Sequence, residues 1–390
     1  MINIYNMDCI IVGAGFCGST IARKLAETGK KVLILERRNH IAGNMYDEKD
    51  TNGILVQRYG PHIFHTNSKE AYDFVAKYDT WIDYLHQPAV EMEGVVSPSP
   101  ANFTTIDLYY TGAEAEDLKN RLKTHYAEQK SVPILELLDC DDMLIKKYAE
   151  KLYEMNYLPY TAKQWGIPPD KIDPGILKRV PVRLDYTNAY FDDKFQCMPK
   201  NGYTNFFGNL LTHNNIEVVI NTDALDLIRI DTQNKQILFN GNKVSIPVVY
   251  TGAVDELLNY CYGQLPYRSL KFEYQTIQTE SFQAASVVAH PKAEGYTRIT
   301  EFKKLPPQNI SGLTSIAYEY PLSADKNNEP YYPLLTDENI SLYNKYSNDL
   351  SVIPNLFLCG RLADYKYYNM DAAILRAFDV LEHCFLRGSK

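Results

Sequence analysis

The chain has 390 residues, 45% hydrophobic and 23% charged, enough for a sizeable buried core and one to three structural units. A formal net charge of −8 and a pI near 5.6 exclude a general nucleic-acid groove, so an anionic ligand needs a local cluster of arginines. Seven scattered cysteines without a CxxC pair predict reduced, buried thiols and a cytoplasmic protein.

No stretch approaches the roughly 20 apolar residues that span a bilayer. The N-terminus opens almost directly into a strand, so no signal peptide is expected. Tyrosine is abundant, 31 against 15 Phe. Each tyrosine offers a flat apolar face and one hydroxyl, suited to stacking on rings while binding sugar oxygens.

The most informative stretch comes first. An apolar run, Cys9 to Val12, enters Gly13-Ala14-Gly15-Phe16-Cys17-Gly18; a helical pattern follows, and a second apolar run, Val32 to Leu35, ends on Glu36. This is the strand, glycine turn, helix and strand of a dinucleotide-binding unit. Gly13 permits the tight turn, Gly15 lets a pyrophosphate approach bare backbone, and Gly18 lets the helix sit close to the strand. The helix N-terminus then offers unpaired N–H groups to phosphates, and Glu36 can accept from ribose hydroxyls. A glycine-rich turn in some other parallel sheet is the plainer alternative.

Arg37, Arg38, Gly43 and Asn44 form the basic, glycine-containing turn that many flavin proteins place after the ribose-binding acid. Tyr59-Gly60-Pro61-His62-Ile63-Phe64-His65 puts two histidines behind a Gly-Pro turn. No third ligand supports a metal there, so His62 is expected to face a cofactor or phosphate, or to serve as a structural histidine. From about Thr104 to Glu154 the pattern is helical and polar, an inserted helical subdomain. Pro159 to Gly166 breaks that pattern, and the segment that follows, through Pro168, Pro169, Pro174 and Gly175, is too punctuated for regular structure and is expected to form a lid, with Arg179 and Arg183 at its far end. Val218 to Ile220, Ile237 to Phe239 and Val248 to Tyr250 read as strands, and about Tyr267 to Tyr320 as an antiparallel sheet carrying Arg298. Leu356 to Arg361 is a last strand and turn, and a helix runs from about Asp371 to Phe385. Its N-terminus can hold negative charge.

Together, the GxGxxG opening, GPHIFHT, YTxKQWG, MPxxGYT, YTRITE, EPYYP and GRLADYKYY resemble the UDP-galactopyranose mutases over about Met7 to Phe385. The resemblance implies an α/β fold: a Rossmann-like FAD-binding domain (1–88, 199–265 and 351–390), a helical bundle with a substrate lid (100–178), and a twisted antiparallel β-sheet domain (89–99, 179–198 and 266–350). It implies a homodimer that contracts the ring of a nucleotide-linked sugar for cell-surface polysaccharide synthesis, UDP-galactopyranose to UDP-galactofuranose first among the candidates. In that chemistry N(5) of reduced FAD attacks the anomeric carbon and displaces the diphosphate, which later returns.

Residue by residue, the resemblance assigns Tyr160, Thr161 and Trp165 to the sugar and base. Arg179 and Arg298 go to the diphosphate, with hydroxyls from Tyr190, Tyr332 and Tyr367. FAD would be held by Gly13, Gly15, Phe16, Gly18, Glu36, Arg37, Gly43, Asn44, His62, Ile63, Gly360, Arg361, Tyr368, Asn369 and Met370. Arg179, Arg298, His62 and Asn369 would be the catalytic group. Plainer readings exist: Trp165 as a packing anchor, Arg298 as surface charge, and Tyr331 rather than Tyr332 as the ligand tyrosine. Two positions depart from the family pattern. Asn369 stands where the family commonly has Asp, and Asn156 where an aromatic residue stacks on uracil. Both bear on which sugar and base are taken, admitting a deoxy or N-acetyl hexose or another base. The competing functional readings are a flavin oxidoreductase of the amine-oxidase-like superfamily, which would want an apolar cage instead of paired arginines, and a nucleotide-binding protein without catalysis.

Overall fold

The computed structural model describes residues 2–166, 180–325 and 328–386, with Trp165 and 384–386 described by their backbone alone. Five parallel strands form the central sheet, in the order Ile216–Val219, Val32–Leu35, Cys9–Val12, Val248–Tyr250, Leu356–Leu358. The inner strands, CIIV, VLIL and VVY, are apolar throughout because both faces of the sheet are covered. On one face the helices Phe16–Glu27 and Met370–Val380 pack together over Ile11, Ile34 and Val249. On the other, Ile10, Leu33 and Leu35 meet a small three-stranded antiparallel sheet built from Ile228–Asp231, Gln236–Phe239 and Asn242–Val244.

The helical part comprises Phe103–Tyr109, Gly112–His125, Ile134–Leu138 and Met143–Leu152 around a core of Leu118, Leu122, Ile134, Ile145, Tyr148 and Leu152. Asn102 starts it: its side chain accepts from Thr104 N, and the Thr105 hydroxyl accepts from Asn102 N, a capping box. A π-helical stretch, Tyr153–Tyr157, joins the bundle to the helix Leu158–Trp165, which ends on Gly166 in the left-handed conformation.

A seven-stranded sheet completes the molecule, in the order Tyr332–Pro333, Tyr267–Ile277, Thr314–Ser323, Arg298–Glu301, Val287–Ala289, Ala89–Met92, Val95–Pro98. It is antiparallel except where Val287–Ala289 pairs with Ala89–Met92 in parallel. That one pair departs from a purely antiparallel expectation. Its two strands are separated by the whole helical excursion and the central sheet, and a parallel pair requires such a long connection. No helix among the described residues is long and apolar enough to cross a membrane.

Candidate functional site

The glycine turn is built as its spacing demands. Gly13 has φ +99, and a Cβ there would lie 2.2 Å from the Thr251 hydroxyl. A Cβ on Gly18 would lie 2.0 Å from the Gly13 carbonyl, so the helix is seated against the strand end. Gly15 differs: a Cβ there would meet only the Gly43 Cα, at 3.9 Å, so packing leaves room beside it. Gly15 caps the helix with no side-chain hydrogen bond, and no acid sits in the first turn. The N–H groups and positive end of the helix dipole are therefore available to an anion. The 42–44 turn is tied on by Ala42 N to the Ala14 carbonyl at 3.0 Å.

Glu36, buried, closes this cradle. Its two carboxylate oxygens accept from Ala14 N at 2.8 Å and Arg38 N at 2.9 Å, which holds it beside the glycine turn. Arg37 is turned toward Glu256 and Glu329, at 3.3 and 3.0 Å, and Arg38 toward Glu329 and the Asn44 amide oxygen, at 2.8 and 2.9 Å. Phe16 and Ile63 are buried in one apolar cluster, and Phe16 makes an edge contact with Phe207.

His62 donates from Nδ1 to the Gly60 carbonyl at 2.8 Å, which leaves Nε2 as an acceptor. Burial, with the charges of Arg361 and Arg298, pulls its pKa down to about 3, so the ring is neutral at physiological pH. The last turn holds a cation: Arg361 donates to the carbonyls of Tyr331 and Tyr368, at 3.3 and 2.5 Å, and lies over the rings of Tyr332 and Tyr367. Asp364 braces this turn by accepting from Gly360 N, the Tyr368 hydroxyl and Arg376. Asn369 and Met370 begin the last helix; Asn369 makes no side-chain cap, and Asp371 accepts from the Thr66 hydroxyl at 2.8 Å.

Arg298 stands opposite Glu319 in the strand register, and Glu319 Oε2 accepts from both Nε and Nη2 at 2.7 Å. The Glu319 side chain is 1% exposed and that of Arg298 26% exposed, so the arginine is oriented from below and open on one side. The carboxylate outweighs burial and raises the Arg298 pKa, keeping the guanidinium charged. Tyr160 lies within electrostatic reach of Arg298 and Glu319, and burial pushes its hydroxyl up to about 12. Tyr332 stacks on Tyr367 with ring centroids 5.6 Å apart, while Tyr331 is buried toward Tyr59. Thr161 is buried on the Tyr160 helix, and Tyr190 packs on His86. Trp165 ends that helix, its side chain outside the described atoms, and Arg179 lies outside the described residues.

Three residues near this cleft were not singled out from the sequence. Glu319 was legible as the acid opposite Arg298 on the neighbouring strand only once the register was known. Arg268 lies buried under the Tyr332 ring, directly opposite it in the strand pairing. His86 is 7% exposed and packs on Tyr190 and Phe191, and its Nδ1 has no hydrogen-bond partner among the described residues. Burial and the Arg298 charge bring His86 down to about 3. Among the described residues no group of three or more His, Cys, Asp or Glu is placed to hold a metal ion.

A dinucleotide cradle, open at Gly15 and backed by a buried acid, beside a cluster of arginine and tyrosine side chains defines a dinucleotide-binding protein of the Rossmann-like class. Residues 11–78 match the NAD(P)-binding Rossmann-like domain family, and residues 155–367 match UDP-galactopyranose mutase. The UDP-galactopyranose mutase of Mycoplasma genitalium is 36% identical over 382 residues, covering 96% of this chain and 94% of that one. The dTDP-fucopyranose mutase of Escherichia coli is 36% identical over 383 residues, covering 98% and 99%. A crystal structure of reduced UDP-galactopyranose mutase superposes with a TM-score of 0.72 at 17% identity, over 98% of this chain and 96% of that one, a likeness of fold. The chain belongs to the UDP-galactopyranose mutase family. It is accordingly an isomerase, and the oxidoreductase reading falls away.

Proposed function

We propose that the protein interconverts the pyranose and furanose forms of a nucleotide-diphosphate hexose, with UDP-galactopyranose as the first candidate and reduced FAD as the working cofactor. The observation that carries this reading is Arg298, a charged, partly exposed guanidinium held by Glu319, with Tyr160 and Tyr332 within electrostatic reach and Tyr332 stacked on Tyr367. Such a group suits a diphosphate, which must be stabilised as it leaves the sugar and retained until it returns.

In this reading Gly13, Gly15, Phe16, Gly18, Gly43 and Asn44 cradle the FAD phosphates, and Glu36 takes the ribose. Ile63, Gly360, Arg361, Tyr368 and Met370 hold the remainder, and Arg37 keeps the 36–44 turn in place through its acidic partners. Bound and reduced, FAD supplies a nucleophilic ring nitrogen for the anomeric carbon. Arg298 holds the diphosphate together with Arg179, the latter assigned on resemblance alone. Tyr190, Tyr332 and Tyr367 donate hydroxyls to the phosphate oxygens, and Thr161 and Trp165 contact sugar and base. Tyr160, assigned to sugar and base by resemblance, is moved in this proposal to the diphosphate because it lies within electrostatic reach of Arg298. His62 stays neutral, so it adds no further cation beside these arginines and offers Nε2 as an acceptor. Asn369 offers hydrogen bonds at the start of the last helix. The three-part division of the chain given above, a homodimer, a cytoplasmic location and a role in cell-surface polysaccharide synthesis belong to the same proposal. Six free cysteines among the described residues accord with a reducing compartment.

The test is to bleach the purified protein with dithionite and offer UDP-, dTDP- and GDP-hexoses. Furanose product from the bleached form alone is expected; undiminished turnover in the fully oxidised form would overturn the reading. A second reading, dTDP-fucopyranose as substrate, is favoured by Asn156 in the π-helical stretch where the family pattern has a uracil-stacking ring, and by the dTDP-fucopyranose mutase relative.

A further inference from the structure

Lys163 lies on the helix Leu158–Trp165, one turn after Tyr160 and on the same side. Its Nζ donates to three main-chain carbonyls, His290 at 2.8 Å, Ala293 at 2.6 Å and Tyr296 at 2.7 Å. An ammonium has three donors, and all three are used; no carboxylate pairs with it among the described residues. The three carbonyls belong to one turn, closed by His290 N to the Thr297 carbonyl at 2.8 Å, that connects Val287–Ala289 to the strand beginning at Arg298. Burial lowers Lys163 to about 8, so the ammonium still predominates at neutral pH. The nearby His290 ring faces Glu91 at 3.7 Å.

One charged group therefore ties the helix that carries Tyr160 to the turn that feeds Arg298. We propose that Lys163 is a positioning residue, which braces Tyr160 against Arg298 so that both meet the diphosphate in one geometry. This rests on Tyr160 and Arg298 binding the diphosphate. A methionine in place of Lys163 fills similar space but offers no donor, and the turn and helix are then held by packing alone.

The experiment compares wild type, Lys163→Met and Lys163→Gln, all loaded with flavin, using UDP as the binding probe and then steady-state kinetics. Lys163→Met is expected to keep its flavin absorbance, with a lower ligand-free melting temperature because three carbonyls lose their donor. Its UDP affinity should fall roughly 10-fold or more, the scale of hydrogen bonds to a charged group. KM should rise in parallel with a smaller change in kcat, and Lys163→Gln, with two amide donors, should recover part of the loss. UDP affinity and KM of Lys163→Met within about twofold of wild type would overturn the proposal, since 10-fold or more was expected. Should Lys163→Met fail to retain flavin, Lys163→Gln decides alone: weakened UDP binding supports the proposal and unchanged binding overturns it. Wild-type protein that does not bind UDP would instead refute UDP-galactopyranose as the substrate, and the same comparison is then made with dTDP; binding of neither nucleotide would refute the function proposed above.

Discussion

Arg298 and Glu319 face each other across two antiparallel strands, and a single carboxylate oxygen accepts from two nitrogens of the guanidinium at 2.7 Å. The buried acid aims the arginine and sets which of its edges is left for a ligand. Arg298→Ala should abolish turnover while flavin stays bound; wild-type turnover in that variant would remove Arg298 from the site. Glu319→Ala should do harm of a different kind. Removing one partner of a largely buried pair costs about 3 kcal/mol or more, so a lower melting temperature should accompany the lost activity.

The cradle can be separated from packing by two glycine substitutions. Gly18→Ala forces a methyl to within 2.0 Å of the Gly13 carbonyl, so the helix must move and thermal stability should fall. Gly15 has φ −83 and room for a methyl, so Gly15→Ala should fold with near wild-type stability yet purify without yellow colour. Full flavin retention in Gly15→Ala, measured by absorbance, would exclude a phosphate at this turn.

Acid should destabilise the fold through two histidines. His62 and His86 are both held near 3, whereas a solvated histidine titrates near 6.5. Between those values the unfolded chain binds more protons than the folded one, so stability present above pH 6.5 is lost as pH falls toward 3. The slope is up to about 1.4 kcal/mol per pH unit for each group. Urea midpoints measured from pH 7 to pH 4 should fall less steeply in His86→Gln than in wild type; an unchanged slope would place His86 in contact with water.

Asn369 begins the last helix without a side-chain cap. Asn369→Asp adds a negative charge at a helix N-terminus, worth about 0.3–1 kcal/mol in stability. If the charge also assists a cationic sugar, kcat for UDP-galactopyranose should rise while UDP affinity holds. A fall in kcat with this sugar, and none with a deoxyhexose, would favour the second substrate reading.

Much of the site was readable before any coordinates. The spacing of Gly13, Gly15 and Gly18 and the acid at Glu36 carry their own geometry, because a short turn between a strand and a helix allows few conformations. The tyrosine pair 331 and 332 was ambiguous in sequence; neighbours in a strand point to opposite faces, and here Tyr332 takes the side with Arg361 and Tyr367. Glu319, Arg268, His86 and Lys163 had no such local signature. Each acquires its role from a partner that the chain brings near only after folding.

The order of residues alone determined the dinucleotide turn, the alternation of helical and strand-forming segments and the membership of a family, since these depend on side chains within a few positions of one another. The tertiary structure decided the rest: that strand 314–323 lies beside 298–301, that strand 287–289 joins 89–92 in parallel, and that an ammonium on one helix closes a ring of carbonyls on another element. Pairings between distant segments follow from how the whole apolar surface is buried, and no local stretch of sequence carries that information.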